Sequence, residues 1–165
     1  MKVKLQSVQE SDAEIFYSIL KQPEFSKSSF NFNTIQDVVN WMKSINKDQQ
    51  KVYSIIYNNK TVGMSTIIIN QNRKFIGEFG FFIDKNFCNK GIATNTVKNL
   101  EEIGFNQLNL IRIEIKMEIT NKACERVAVK CGFKKEGIMK KALKIKDKYY
   151  DCYLYSKTKQ NVAPF

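Results

Sequence analysis

Residues 81–94 constrain the fold more than any other stretch, because an apolar strand, a short polar turn and a helix follow one another there. The first N–H groups of a helix have no intrahelical partners, and the helix dipole adds partial positive charge at that end. Gly91 has no Cβ, so an anion could approach the backbone closely, and Lys90 adds a full positive charge beside it. The stretch therefore predicts a phosphate-binding turn, although an ordinary tight connection would also use such a glycine.

The residue inventory limits the available chemistry. The chain has 165 residues, of which 43% are hydrophobic, and we expect a single domain over 1–165. Four cysteines without a CxxC pair and the lack of histidine argue against a metal site and against histidine-dependent catalysis. No apolar run is long enough to span a membrane, and no signal-peptide pattern is present. These features fit a cytoplasmic protein with reduced thiols, as a monomer or a homodimer.

The chain is strongly basic, with a formal net charge of +11 and a cluster of lysines between residues 134 and 148. A basic surface suits nucleic acid, an acidic protein partner or a polyanionic cofactor, and it can also reflect a lysine-rich composition alone. The sequence contains no recognition helix, no RNP-like aromatic motif and no zinc finger, which argues against a nucleic-acid-binding role.

The order of the predicted elements favours an α+β fold: two helices, an antiparallel meander, a helix, a strand, a helix and a last strand pair. The predicted strands are 3–7, 52–57, 61–70, 75–83, 111–119, 133–139 and 148–155. The helices are predicted to begin at the capping motifs 11–14 and 34–37, at Gly91 and at Asn121. We expect the basic stretch to join the last two strands and the tail 157–165 to be flexible.

The turn resembles the acyl-CoA-binding signature of the GNAT superfamily of N-acetyltransferases, Gln/Arg-x-x-Gly-x-Gly/Ala. Gly91 and Ala93 match that signature, whereas Cys88 stands where Gln or Arg is usual. The ribosomal-protein subgroup (RimJ/RimL type) reads aromatic-x-Gly-Lys-Gly-x-Ala-Thr. Residues 90–94 are similar to this form, with Asn89 in place of its first glycine.

A second resemblance lies downstream. Residues 121–124 and 131–133 are similar to the Asn-x-Ala-Ser and Gly-Phe segments of the same family, with Cys124 at the serine position. Many members carry a tyrosine four residues before the glycine of Gly-Phe, where this chain has Ala128. That difference argues against the tyrosine-dependent branches.

The resemblance implies a GNAT fold, with a mixed, mostly antiparallel sheet of six to seven strands flanked by about four helices. It also implies acetyl-CoA as co-substrate, no metal, and direct attack by a primary amine in a ternary complex. The acceptor would be a protein N-terminal amine. A small-molecule amine (an amino sugar, a polyamine or an antibiotic) stays open, and the departures at 88, 89 and 128 leave a non-catalytic acyl-CoA-binding module open as well.

The resemblance further implies where the cofactor would bind. The residues are those of the strand end, the turn, the helix start and one later helix cap: Phe81, Phe82, Ile83, Cys88, Asn89, Lys90, Gly91, Ile92, Ala93, Thr94 and Asn121. A backbone N–H near Phe82 would stabilise the oxyanion if the strand bulges there, as it does in the family.

Two side chains are candidates for proton transfer. Glu78 stands in an otherwise apolar strand, at a position where the family has a glutamate, and would accept the proton of the amine directly or through water. Apolar surroundings would raise the pKa of this carboxylate, although a solvated position or a structural pairing with a lysine is equally open. Cys124 would donate to the leaving thiolate, or would be a small core residue.

Overall fold

The computed structural model describes residues 2–26, 28 and 30–160, and its centre is one seven-stranded sheet with the strand order β1-β2-β3-β4-β5-β7-β6. All neighbouring pairs are antiparallel except β4 and β5, which are parallel. The strands are β1 Lys4–Ser7, β2 Gln50–Tyr57, β3 Lys60–Ile69, β4 Ile76–Ile83, β5 Arg112–Glu118, β6 Lys134–Ile145 and β7 Lys148–Thr158.

Four α-helices flank the sheet in the described part of the chain: α1 Ala13–Leu20, α2 Ile35–Lys43, α3 Ile92–Glu102 and α4 Lys122–Lys130. The expected α+β fold, a mostly antiparallel sheet of six to seven strands with about four helices, is confirmed. Helix α2 begins where its capping motif predicts, because Thr34 accepts from the Asp37 N–H and the Asp37 carboxylate accepts from the Thr34 N–H.

The two faces of the sheet differ in how far helices cover them. On one face, α3 and α4 pack over an apolar layer that includes Phe79, Ile113 and Ile115. On the other face, α1 and α2 pack over Val52, Met64 and Phe82 of β2–β4. The strand positions of β5 on that second face carry charged side chains instead, so this part of the sheet is open to solvent.

Strands β4 and β5 separate, and this separation positions the site. They pair only between residues 76–78 and 112–114. Beyond these residues β4 remains paired with β3 as far as Ile83, and β5 remains paired with β7 as far as Glu118. A gap therefore opens between the two strands on the side where β4 leads into the turn before α3.

Three local predictions need correction. The basic stretch is not a simple connection, because β6 continues through it to Ile145 and forms a long hairpin with β7. The first helix does not use the capping motif 11–14: a single 3-10 turn, Glu10–Asp12, precedes it, and Asp12 instead accepts from the Gln9 N–H. Of the tail 157–165, which was expected to be flexible, Lys157 and Thr158 still belong to β7, and residues 161–165 lie outside the described residues.

Candidate active site

The start of α3 has the properties of an anion site. Gly91 is its N-cap residue, has the left-handed backbone angle φ of 74°, and offers no side chain to the first N–H groups of the helix. A Cβ at Gly91 would have only the Asn95 Nδ2 atom nearby, at 3.8 Å, so the space before the helix is open. The N–H groups of Ile92, Ala93 and Thr94 thus have no intrahelical or capping acceptor, and an anion could bind them.

The turn that leads into this helix is compact. The Asp84 side chain caps a 3-10 turn, Lys85–Phe87, by accepting from the Asn86 N–H at 2.9 Å. Asn89 has a positive φ of 61°, which an asparagine tolerates better than most residues. The Lys90 ammonium lies 5.1 Å from the centre of the Phe87 ring, and this contact holds a positive charge beside the helix start.

The edge of β4 that faces the gap presents free backbone groups. The Asp84 N–H donates to the Val62 carbonyl of β3, and backbone groups alternate in direction along a strand. Phe82 therefore directs its N–H and C=O toward β3, whereas Phe81 and Ile83 direct theirs into the gap, where they have no strand partner. These two residues could pair with an extended ligand as a neighbouring strand would.

The expected bulge at Phe82 is not found in β4, all of whose residues are described. The register between β3 and β4 runs without a shift from the pair Gly63 and Ile83 to the pair Ile69 and Gly77. The N–H nearest to Phe82 that points into the gap is consequently that of Phe81 or of Ile83. The sequence could not show this, because the direction of a backbone group depends on the register of pairing.

Glu78 does not lie in apolar surroundings. Its Oε2 atom accepts a hydrogen bond from Lys116 Nζ at 2.7 Å, and the two side chains are 36% and 32% exposed. Partial burial lowers the pKa of Lys116, but the hydrogen bond and charge of Glu78, followed by those of Glu114, raise that pKa above its usual value. Glu78 is thus a solvent-accessible carboxylate held by a lysine, on the sheet face that carries Phe82.

Asn121 and Cys124 lie at the start of α4. The Asn121 side-chain oxygen accepts from the Cys124 N–H at 3.1 Å and caps the helix, so only its amide nitrogen could donate to a ligand. The Cys124 side chain packs against the apolar layer under α3 and α4, and burial raises the pKa of its thiol to about 12. The thiol is therefore protonated at neutral pH and can donate a hydrogen bond.

Cys88 lies in the turn itself. Its side chain is exposed, and its thiol points to the Asp84 carbonyl at 3.8 Å. Partial burial, followed by the carboxylates of Asp84 and Glu24, raises the pKa of this thiol. It is therefore neutral near pH 7 and cannot supply the charge of the arginine that the family signature has at this position.

A cavity of about 320 Å³ lies beside the turn. Its walls come from α1, from described residues of the loop 22–32 and from the tip of the β6–β7 hairpin at residues 144–146. Phe25 and Phe30 of the loop pack edge-on against Phe82, with ring centres 5.8 and 6.2 Å apart, so the cavity borders β4.

Sequence reasoning missed three contributors to this region. Gln22 connects the cavity wall to the turn, because its side chain donates to Asp84 and accepts from the Lys85 N–H. Lys116 holds Glu78, and the hairpin tip closes the cavity. Each of these contacts joins residues distant in the chain, and the signals in the sequence were the alternation of charged residues along β5 and the lysine cluster between residues 134 and 148.

The described residues contain no cluster of three or more histidine, cysteine, aspartate or glutamate side chains that could hold a metal ion. None of the described helices is both long enough and apolar enough to cross a membrane.

A family model and a protein of similar sequence both relate this chain to N-acetyltransferases. A family model described as an acetyltransferase (GNAT) domain matches residues 2–134. The uncharacterized N-acetyltransferase p20 of Bacillus licheniformis is 27% identical over 170 residues, which cover 98% of this chain and 96% of that protein.

Solved structures agree with this match. The crystal structure of the microcin self-immunity acetyltransferase MccE, in complex with acetyl-CoA and AMP, has a TM-score of 0.83 and 27% identity, covering 95% of this chain and 92% of MccE. The ribosomal alpha-N-protein acetyltransferase RimL in its apo form has a TM-score of 0.86 at 19% identity, covering 96% of this chain and 91% of RimL. The likeness to RimL is a likeness of fold.

Proposed function

The chain belongs to the GNAT acetyltransferase family and is an acetyl-CoA-dependent N-acetyltransferase, and on that premise we propose that its acceptor is the N-terminal amine of a protein. The transfer would occur in a ternary complex, by direct attack of the amine on the thioester. The bond from carbonyl carbon to sulfur breaks, the new amide bond forms, the amine loses a proton and the thiolate gains one.

The observation that carries the proposed acetyl transfer is the convergence of three features on one strand. Strand β4 carries Glu78 on its solvent-accessible face, directs the backbone groups of Phe81 and Ile83 into the gap, and leads into the uncapped start of α3. A single short element thus brings together a proton acceptor, N–H groups for a carbonyl oxygen and an anion site for the cofactor phosphates.

Acetyl-CoA fits the groups present. Its pyrophosphate would be held by the N–H groups of Ile92, Ala93 and Thr94, with the charge of Lys90 beside them. The pantetheine arm would lie in the gap against Phe81 and Ile83, near the amide nitrogen of Asn121. Phe82 contributes packing from the opposite face of the strand.

Different residues of this chain would then carry out the separate steps of the transfer. Glu78 would accept the proton of the attacking amine, directly or through water, while Lys116 keeps its carboxylate in place. The N–H of Phe81, which lies nearer to Glu78 along β4 than that of Ile83, would stabilise the developing oxyanion. The protonated thiol of Cys124 would donate a hydrogen bond to the leaving thiolate, which would take up its proton from water. No covalent intermediate on the enzyme is required.

Access to Glu78 favours a large acceptor. Helices α1 and α2 cover only the β2–β4 part of this sheet face, and Ile68, which lies opposite Glu78 in the β3–β4 register, is 45% exposed. A polypeptide end could therefore approach along the open part of the sheet. The motif resemblance to the RimJ/RimL-type subgroup supports the same acceptor.

A small-molecule amine is the second candidate. The similarity to MccE favours a small acceptor, because the MccE structure contains the small molecule AMP together with acetyl-CoA. MccE is 27% identical to this chain over nearly its whole length.

The test is the acetyl-CoA-dependent release of free CoA thiol with a panel of acceptors, followed by mass spectrometry of the products. The panel contains short peptides with varied N-terminal residues, the same peptides with blocked N-termini, polyamines, amino sugars and aminoglycosides. We expect turnover of free peptide N-termini and none of blocked ones. Turnover of one small amine alone would contradict the proposed acceptor, and acetyl-CoA binding without turnover of any amine would contradict the catalytic proposal.

A further inference from the structure

The charge of the cavity beside the turn is one-sided. Among its described lining residues, three are lysines and none is acidic: Lys21 at the C-cap of α1, and Lys144 and Lys146 from the hairpin tip. Lys21 is fixed in place, because its ammonium donates to the Phe32 carbonyl at 3.0 Å and lies 5.0 Å from the centre of the Tyr17 ring. The rest of the described lining is aromatic, aliphatic or neutral polar.

Four acidic residues lie near this cavity, and none of them belongs to its described lining. Glu24 and Asp147 are neighbours in sequence of lining residues, but neither belongs to the lining. Asp84 accepts hydrogen bonds from Gln22 and Asn86 and faces the turn. Asp37 lies close enough to Lys21 that the charge of this lysine contributes to the lowered pKa of the Asp37 carboxyl, so Lys21 has a counter-charge outside the lining. Within the described lining, a cationic ligand such as a polyamine would meet only positive charge, chiefly that of Lys144 and Lys146, whereas an anionic ligand would be attracted by it.

The cavity does not lie at the proposed proton acceptor. Phe82, against which the cavity loop packs, and Glu78 are on the same face of β4 but four residues apart, which is about 13 Å along a strand. A free amino acid carries its carboxylate two bonds from its amine and cannot reach both places. An extended peptide covers this distance with about four residues, since each adds about 3.3 Å.

We propose that this cavity recognises an acidic side chain near the fourth residue of a peptide acceptor whose N-terminal amine lies at Glu78. The proposal rests on the proposed function, and it assigns a role to the lysines of the β6–β7 hairpin tip. Specificity then depends on the spacing between amine and carboxylate as well as on charge.

The experiment compares peptides of one length and one N-terminal residue that carry glutamate, glutamine or lysine at position four, and a further peptide with glutamate at position two. We expect kcat/KM to be highest for glutamate at position four and about tenfold lower for lysine there, since each exposed ion pair contributes up to about a factor of five. Equal values for glutamate and lysine at position four would overturn the proposal. So would equal or better turnover of free glutamate, or of the peptide with glutamate at position two.

Matched variants show whether the lysines are responsible. In Lys144→Gln/Lys146→Gln the ratio of kcat/KM between the glutamate and glutamine peptides should fall toward one. Lys74→Gln/Lys130→Gln removes the same charge from exposed positions outside the site and should keep the wild-type ratio. An equal fall in both double variants would mean that net charge alone sets the preference, and this would overturn the proposed site.

The outcomes also separate this inference from the proposed function. Turnover of all peptides without a preference contradicts the acidic subsite and leaves the acetyltransferase activity on peptides standing. Failure of every peptide, while a small amine is acetylated, contradicts the peptide acceptor and the inference built on it.

Discussion

The region proposed to bind the cofactor and the region proposed to bind the acceptor, called the cofactor side and the acceptor side below, differ in the chemical groups that form them. The cofactor side consists of backbone: the uncapped start of α3 at Gly91, and the free edge of β4 at Phe81 and Ile83. The acceptor side consists of side chains from α1, the loop 22–32 and the distant β6–β7 hairpin. A backbone site binds what all members of such a family share, whereas a side-chain site can change its substrate through a few substitutions.

This contrast predicts that substitutions on the two sides separate kinetically. Changes on the cofactor side should act on acetyl-CoA binding for every acceptor. Changes on the acceptor side should act on one acceptor class and leave acetyl-CoA binding intact. Substitution of Glu78, the proposed proton acceptor on β4, should affect the chemical step itself.

The largest effect is expected for Glu78→Gln, which keeps the shape of the side chain but cannot accept the proton. The kcat should fall about a hundredfold or more, the usual contribution of a general base, with the KM for acetyl-CoA unchanged. The measurement is the steady-state rate between pH 6 and 9. Glu114→Gln is the control, because Glu114 carries the same charge and also approaches Lys116 Nζ, at 3.5 Å, but lies on β5. An unchanged maximal rate at all pH values would remove Glu78 from the mechanism.

The next largest effect is expected for Gly91→Ala, which places a methyl group where the cofactor phosphates would bind. The Kd for acetyl-CoA should rise about a hundredfold, because two charge-assisted hydrogen bonds contribute about 1.5 kcal/mol each. The measurement is isothermal titration calorimetry.

Gly132→Ala is a matched control for that substitution. Gly132 also has a positive φ, of 80°, and a Cβ there would have only Lys157 Nζ nearby, at 3.9 Å. Both variants therefore carry similar backbone strain, and only Gly91→Ala should lose acetyl-CoA binding. Equal binding by the two variants would contradict a phosphate site at the start of α3.

A smaller effect is expected for Cys124. Its replacement by alanine removes a hydrogen-bond donor and should lower kcat about fivefold, since one such bond contributes about 1 kcal/mol. Cys124→Ser should restore or exceed the wild-type rate, because a hydroxyl is a better donor than a thiol. Unaltered turnover in Cys124→Ala would reduce this residue to a core-packing role.

The smallest effect concerns the ion pair between Lys116 and Glu78. The pKa of Lys116 is raised in the folded state, so the pair adds stability that is fully present below the unfolded value, about 10.4, and is lost as the pH rises through the raised pKa. The melting temperature of the wild type should therefore fall more steeply above pH 10 than that of Lys116→Met. Parallel curves would show that the pair contributes nothing to stability, as many exposed pairs do.

The difference between the two sides also explains what the sequence could predict. The turn before α3, its glycine and the helix that follows are local in the chain, and the motif predicted them together with the α+β fold. Lys116 beside Glu78, Gln22 beside Asp84 and the hairpin tip beside the loop 22–32 depend on contacts between distant residues. The length of β6 was also missed, because its lysines resemble a polar connection until the pairing with β7 is known.

The most direct test of two separate sides acting together is an initial-rate study in which acetyl-CoA and a peptide acceptor are varied against each other. If both substrates are held at once, the double-reciprocal lines intersect, and mass spectrometry finds no acetylated enzyme. Parallel lines, with an acetyl group on a cysteine after incubation with acetyl-CoA alone, would contradict direct attack in a ternary complex.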